Sequence, residues 1–198
     1  MKSINTEKLI LASKSPRRKE LLEQIGIEIE ISPSSIDEES VQIKTPEKYV
    51  QELSFLKAKD AVRLYPESWI LGADTIVVVK GQILGKPQSK TDAIIMLNKL
   101  NNCEHLVYTA FCVMNQKKNS MVVKSIRTKV YFKNLTDQEI AWYVRTGEPF
   151  DKAGAYGIQG IGAFLVKQIS GSYSNVVGLP VCEVVEILRS LNIIQFKD

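Results

Sequence analysis

Leu9-Ile10-Leu11-Ala12-Ser13-Lys14-Ser15-Pro16-Arg17-Arg18-Lys19-Glu20-Leu21-Leu22 passes from a short apolar run into helical spacing. Residues 9–12 predict a short buried strand. Ser15 is a good N-cap, and Pro16 suits the first helical position because its missing N–H would be unpaired there anyway. Leu21, Leu22 and Ile25 follow at helical spacing until Gly26, so a helix is expected over 15–25. A strand feeding directly into a helix is the opening of an α/β chain. Arg17 and Arg18 occupy a helix start, where the macrodipole prefers acids. An anion held by guanidinium and free helix N–H groups would resolve that conflict. Two solvated surface arginines are the competing reading.

Further along, residues 27–31 alternate as a second strand and polar residues 32–44 read as a loop. Thr45-Pro46-Glu47 opens a long helix with Tyr49, Val50, Leu53 and Leu56 on one face. Trp69-Ile-Leu-Gly-Ala-Asp-Thr-Ile-Val-Val-Val79 is strand-like on both sides of Gly72-Ala73-Asp74-Thr75, and Lys80-Gly81-Gln82 turns it back. Ser89 or Thr91 starts a helix that runs to Leu100. Strands are expected over 106–114 and 121–132. Thr136-Asp137-Gln138-Glu139 is a capping box for a helix that stops at Gly147. A strand over 163–169 and a helix over 180–191 complete the chain. Helices alternate with strands early and strands run together later, so the fold class is α/β with a mixed sheet.

The chain has 198 residues, enough for one large domain or two small lobes with a substantial core. A net charge of +4 suits an anionic substrate but lacks the dense basic character of a nucleic-acid binder. No apolar stretch has the length of a membrane span. Polar Met1-Lys2-Ser3-Ile4-Asn5-Thr6-Glu7 lacks the apolar core of a signal peptide, so a cytoplasmic location is expected. Cys103, Cys112 and Cys182 form no CxxC pair and read as reduced thiols. His105 is the lone histidine, which excludes a multi-histidine metal site. A Cys–His nucleophilic pair stays open, although no companion signature surrounds either residue.

Asp74 is an ionisable group inside an apolar run, and burying a carboxylate requires a metal, a cation or several N–H donors. An Asp satisfying a turn at a strand end is the alternative. Gly72 would let the backbone bend or approach a ligand. Lys86-Pro87 follows the returning strand, so Lys86 projects from a rim or is simply solvated. Asp151-Lys152-Ala-Gly-Ala-Tyr-Gly-Ile-Gln159-Gly-Ile-Gly162 is rich in glycine, as phosphate-cradling loops are, though it is neither a P-loop nor a dinucleotide fingerprint. Gln159 offers a donor and an acceptor, as reading a base edge requires. Residues 171–180 form a further loop, either a structural turn and cap or a ligand contact. Carboxylates (Asp74, Asp151, Glu38) together with cations (Arg17, Arg18, Lys57, Lys86, Lys152) are the equipment of metal-assisted phosphoanhydride cleavage, although every protein contains scattered acids and bases and composition alone does not make that assignment.

Ala12-Ser-Lys-Ser-Pro-Arg-Arg-Lys-Glu-Leu-Leu22, Gly72-Ala-Asp-Thr75, Gly85-Lys-Pro87, Asp151-Lys-Ala-Gly-Ala-Tyr-Gly-Ile-Gln-Gly160 and Val177-Gly-Leu-Pro180 stand in this order. The ordered set closely resembles the Maf family of nucleoside triphosphate pyrophosphatases, historically called septum formation inhibitors. The resemblance spans about residues 8 to 192. It implies an elongated mixed twisted sheet flanked by helices with a central cleft, similar to the inosine triphosphatase family. The expected organisation is a single domain over 1–198, built as one body or as two lobes around a cleft. The implied reaction cleaves between the α and β phosphates to give a nucleoside monophosphate and pyrophosphate.

By this resemblance Asp74 matches the proton acceptor, and Arg17, Thr75 and Gln159 match positions linked to substrate choice. Ala-Tyr-Gly-Ile-Gln-Gly looks like the dTTP/UTP-type subgroup, whereas the 7-methyl-GTP subgroup carries a Ser-Phe and Glu-Gly version. Ser13, Arg18, Lys57, Lys86 and Lys152 are expected to contact substrate, and Asp74, Glu38 and Asp151 to hold Mg²⁺ or Mn²⁺. Glu38 and Lys57 lie in weaker motifs, and Ala110 stands where many members have glycine. A nucleoside triphosphate is the expected partner, with neither nucleic acid nor membrane, and family analogy suggests a homodimer. A role in cell-division arrest is inherited from the family name. The competing function is a nucleotide-binding regulator of septum formation without turnover.

Overall fold

The computed structural model describes residues 4–42 and 45–196, with backbone only at Glu39. Residues 1–3 of the polar N-terminal stretch and 43–44 of the expected loop lie outside the described residues. Among the described residues, seven strands and six α-helices follow in the order β1 (Leu9–Leu11), α1 (Pro16–Glu23), β2 (Glu30–Ile31), α2 (Pro46–Val62), β3 (Trp69–Val79), β4 (Gln82–Leu84), α3 (Lys90–Leu100), β5 (Glu104–Asn115), β6 (Ser120–Phe132), α4 (Asp137–Arg145), β7 (Val166–Ser170), α5 (Tyr173–Val177) and α6 (Val181–Ser190). The strands form one mixed sheet in the order β2-β1-β3-β5-β6-β7, with β4 paired to β3. β1 runs parallel to β2 and β3, whereas β4 and β7 are antiparallel to their partners.

The chain divides into two compact units. The first comprises Met1–Asp74, Thr109–Ile126 and Gly178–Asp198. Its core includes Ile10, Ala12, Ala58, Ala61, Ile70 and Cys112, which places α2 on β1 and β3. The buried face of α2 differs from the expected one. Val50, Leu53, Ser54, Lys57, Ala58 and Ala61 point inward, while Tyr49 and Leu56 are only half-buried. Gly72 explains the shift. A Cβ there would overlap the Ser54 carbonyl oxygen and lie 2.7 Å from the Ala58 nitrogen. The missing side chain lets the helix backbone lie close against β3, so Gly72 serves packing rather than a ligand. β3 passes unbroken through Asp74, which excludes a strand-end turn.

The second unit comprises Thr75–Tyr108 and Arg127–Val177. Val77, Leu97, Val107, Val130, Tyr143 and Leu165 belong to its core. The hairpin at Lys80-Gly81 has positive φ at both residues, as a two-residue turn between β3 and β4 requires. Ser89 caps α3, and the Thr136–Glu139 capping box of α4 is complete.

Three local expectations fail. The strand expected over 27–31 shrinks to exposed Glu30–Ile31. Residues 160–165 form a 3₁₀ turn, so β7 begins at Val166. Ser15 occupies the N-cap of α1 without a capping hydrogen bond from its side chain.

Candidate active site

Glu38, Lys57 and Asp74 meet in the first unit. The Lys57 ammonium lies 2.6 Å from Asp74 Oδ1 and 2.8 Å from Glu38 Oε1. Lys57 comes from the buried face of α2 and Asp74 from β3, so the close packing at Gly72 sets their separation. Asp74 is buried, whereas the Glu38 side chain is 52% exposed. Burial raises the Asp74 pKa, and the nearby Lys57 and Arg18 charges oppose that rise. A carboxyl raised above its ordinary range is a better proton acceptor near neutral pH than an exposed one.

Arg18 is buried too, which excludes the solvated reading for this arginine. Its Nε donates to the Gly178 carbonyl at 2.8 Å. Its Nη1 donates to Ser13 Oγ at 2.9 Å and to the Ala73 carbonyl at 2.8 Å. Ser13 Oγ also accepts from the Ser15 N–H. Arg18 and Ser13 therefore brace the backbone beside Asp74. The Val177–Pro180 motif gains a structural role through Gly178. Arg17, the preceding residue on α1, is half-buried.

The remaining expected residues lie in the second unit. Thr75 is half-buried on β3, and Lys86 is exposed after β4. The neighbouring Gly85 carbonyl accepts from Gly154 N–H at 2.9 Å. Lys152 Nζ lies 2.6 Å from Asp151 Oδ1 and donates to the Glu148 carbonyl at 2.7 Å. Asp151, expected as a metal ligand, is thus paired with the lysine beside it. Gln159 is half-buried in the same segment.

Three N–H donors in and just after the glycine-rich loop turn to partners within the second unit. Ile161 and Gly162 N–H groups donate to the two oxygens of Glu148, each at 2.9 Å. Gly157 N–H donates to Tyr143 Oη at 3.2 Å. These donors are engaged within the protein. Neither Glu148 nor Tyr143 stood out in the sequence, since one acid after a helix and one aromatic within it carry no motif. The lone histidine is a core residue. His105 Nε2 lies 2.8 Å from Tyr156 Oη, and burial pushes its pKa down to about 4. Cys112 is pushed up to about 12 by burial, so it is no nucleophile. The three cysteines are free.

A divalent cation fits the first unit in a limited sense. Among the described residues, no three or more His, Cys, Asp or Glu groups gather as a metal cage. Glu38 and Asp74 do converge on one cationic group. A hard cation that takes one or two carboxylates and completes its shell with phosphate and water needs no more from the protein. No helix among the described residues is long and apolar enough to cross a membrane.

The model of the family described as Maf-like protein matches residues 8–191. A dTTP/UTP pyrophosphatase of Syntrophus aciditrophicus is 48% identical over 192 residues, covering 97% of this chain and 94% of that protein. One from Geotalea uraniireducens is 50% identical, covering 94% and 96%. Another, from Citrifermentans bemidjiense, is 51% identical, covering 91% and 94%. Among solved structures, the Staphylococcus aureus Ham1 protein matches with a TM-score of 0.55 at 14% identity, covering 93% of this chain and all of that one. That likeness concerns the fold alone.

Proposed function

Since the chain belongs to the Maf-like protein family, we propose that it hydrolyses dTTP and UTP between the α and β phosphates, releasing the nucleoside monophosphate and pyrophosphate. The observation that carries this reading is the buried Asp74 carboxylate held by Lys57 beside Glu38. Relatives about half identical to this chain and named for that activity support the choice of substrate. A regulator that only binds nucleotide would need no Asp74, so the carboxylate set against Lys57 and Glu38 favours turnover. No residue gives separate support to a role in cell-division arrest.

The water that attacks phosphorus loses a proton to the Asp74 carboxylate. Lys57, at hydrogen-bond distance, favours the ionised form of Asp74 against the effect of burial and fixes its orientation. Arg18 holds the adjacent Ala73 carbonyl, so the peptide that presents Asp74 cannot drift. Arg17, Lys86 and Lys152 neutralise phosphate charge, including that developing on the pyrophosphate leaving group. Gln159 reads the pyrimidine edge, and Thr75 and Arg17 contribute to nucleotide choice. Glu38 and Asp74 would hold Mg²⁺ or Mn²⁺. When bound, the cation polarises the phosphate oxygens. The same reading covers a single functional domain over 1–198, a cytoplasmic setting and a homodimer.

The test incubates the purified chain with a panel of nucleoside triphosphates and Mg²⁺, scoring pyrophosphate against orthophosphate. Pyrophosphate release, fastest with dTTP and UTP, is expected. Asp74→Asn should lower kcat/KM by at least ~10²-fold while the protein stays folded. Orthophosphate as the sole product, or near-normal turnover by Asp74→Asn, would refute the assignment.

A further inference from the structure

Gln159 has one hydrogen-bonded pair on both of its flanks. Glu148 Oε2 accepts from Ile161 N–H, and Oε1 accepts from Gly162 N–H and from Tyr143 Oη, all at 2.9 Å. Tyr143 Oη in turn accepts from Gly157 N–H at 3.2 Å. The backbone two residues before Gln159 and the two residues beginning two after it therefore share one anchor. Burial and the Glu148 carboxylate raise the Tyr143 pKa, so the phenol keeps the proton it donates.

The glycines are arranged around this anchor. A Cβ at Gly160 would lie 2.8 Å from Glu148 Oε2, and one at Gly162 would lie 2.6 Å from Tyr143 Oη. Gly160 also has φ of +66°, a conformation that disfavours a side chain. The anchor itself is rooted in a helix. Tyr143 is fully buried on α4, whose first turn is fixed by its capping box. Gly147, with φ of +81°, ends that helix and turns the chain so that Glu148 can reach back to the Tyr143 hydroxyl.

We infer that Tyr143 and Glu148 are positioning residues for base selection, holding the loop on both sides of Gln159 so that its amide meets the base in one orientation. The inference rests on the proposed reading of Gln159 as the base-reading residue. A polar group that selects a ligand must be held to within about half an ångström, and its own side chain cannot supply that precision. Loosening the loop weakens recognition of the matched base. It leaves the Glu38–Lys57–Asp74 group intact, so the loss falls on KM and preference rather than on kcat.

Tyr143→Phe deletes a single oxygen, and Glu148→Gln keeps the side-chain shape with one fewer acceptor. For each variant, kcat and KM are measured with dTTP, UTP, dCTP and GTP by pyrophosphate release, and thermal melting monitors folding. The expected result is a KM for dTTP raised by ~10- to 100-fold, kcat within about threefold, and a dTTP preference over dCTP reduced by the same factor as KM rises. The more conservative Glu148→Gln should lie closer to wild type than Glu148→Ala. Folded variants with unchanged preference, or with kcat reduced equally on all four nucleotides, would overturn the inference. Wild-type protein with no preference for dTTP or UTP would instead overturn the substrate reading beneath it, and the two failures are distinguished by that control.

Discussion

Arg17 and Arg18 are adjacent and chemically identical, yet the fold gives them different surroundings. Arg18 is buried and hydrogen-bonded to Ser13, Ala73 and Gly178, whereas Arg17 remains half-buried. Removing Arg18 leaves two carbonyls without that donor and takes a positive charge from beside Asp74. Arg18→Ala should therefore cost about 3 kcal/mol of stability. Arg17→Ala should act on nucleotide KM and preference. Urea titration of Arg18→Ala and steady-state kinetics of Arg17→Ala check this, and an unchanged urea midpoint in the first or an unchanged nucleotide preference in the second would contradict it. At this scale the sequence showed which residues are unusual. It could not show that one arginine of the pair is inside, because local spacing on a helix does not reveal what packs over it.

At the scale of elements, the approach of α2 to β3 sets the site. Gly72 faces the α2 backbone, and Lys57 and Asp74 project from these two elements into one ion pair. Gly72→Ala would force the helix away from the strand. It should destabilise the protein by about 3 kcal/mol and disturb Asp74 as well. Gly85→Ala is the control, since a Cβ there meets nothing within 4 Å. Chemical denaturation of the two variants checks the difference, and similar midpoints would contradict it. Most helices were legible because capping residues and apolar spacing are local signals. The buried stripe of α2 was not, because Ser54 and Lys57 are polar residues turned inward by close backbone packing and by a carboxylate elsewhere in the chain. The 3₁₀ turn over 160–165 was likewise hidden, since its backbone donors answer to Glu148.

At the scale of the whole molecule, the buried histidine predicts an acid-dependent stability. His105 ordinarily titrates near 6.5 but is lowered to about 4 in the fold, mainly by burial. Above pH 6.5 both states are neutral and the group has no effect. As pH falls from 6.5 towards 4, the unfolded chain takes up a proton that the folded chain refuses, so stability is lost over that window. The loss reaches at most about 3 kcal/mol. Urea midpoints for wild type and His105→Gln at pH 7.5 and 4.5 check this, with the steeper fall expected for wild type and equal falls contradicting it. The mixed α/β class, the order of the elements, the family and the residues set apart, Asp74 and the Arg17–Arg18 pair foremost, were all legible along the chain. They rest on local patterns of period, cap and motif. That Arg18 braces carbonyls, that Lys57 holds Asp74 and that the glycine-rich loop closes around Glu148 and Tyr143 emerged with the folded packing. Each of those depends on partners distant in sequence or lacking a motif, and a buried charge or donor takes its role from whatever the fold places within about 3 Å of it.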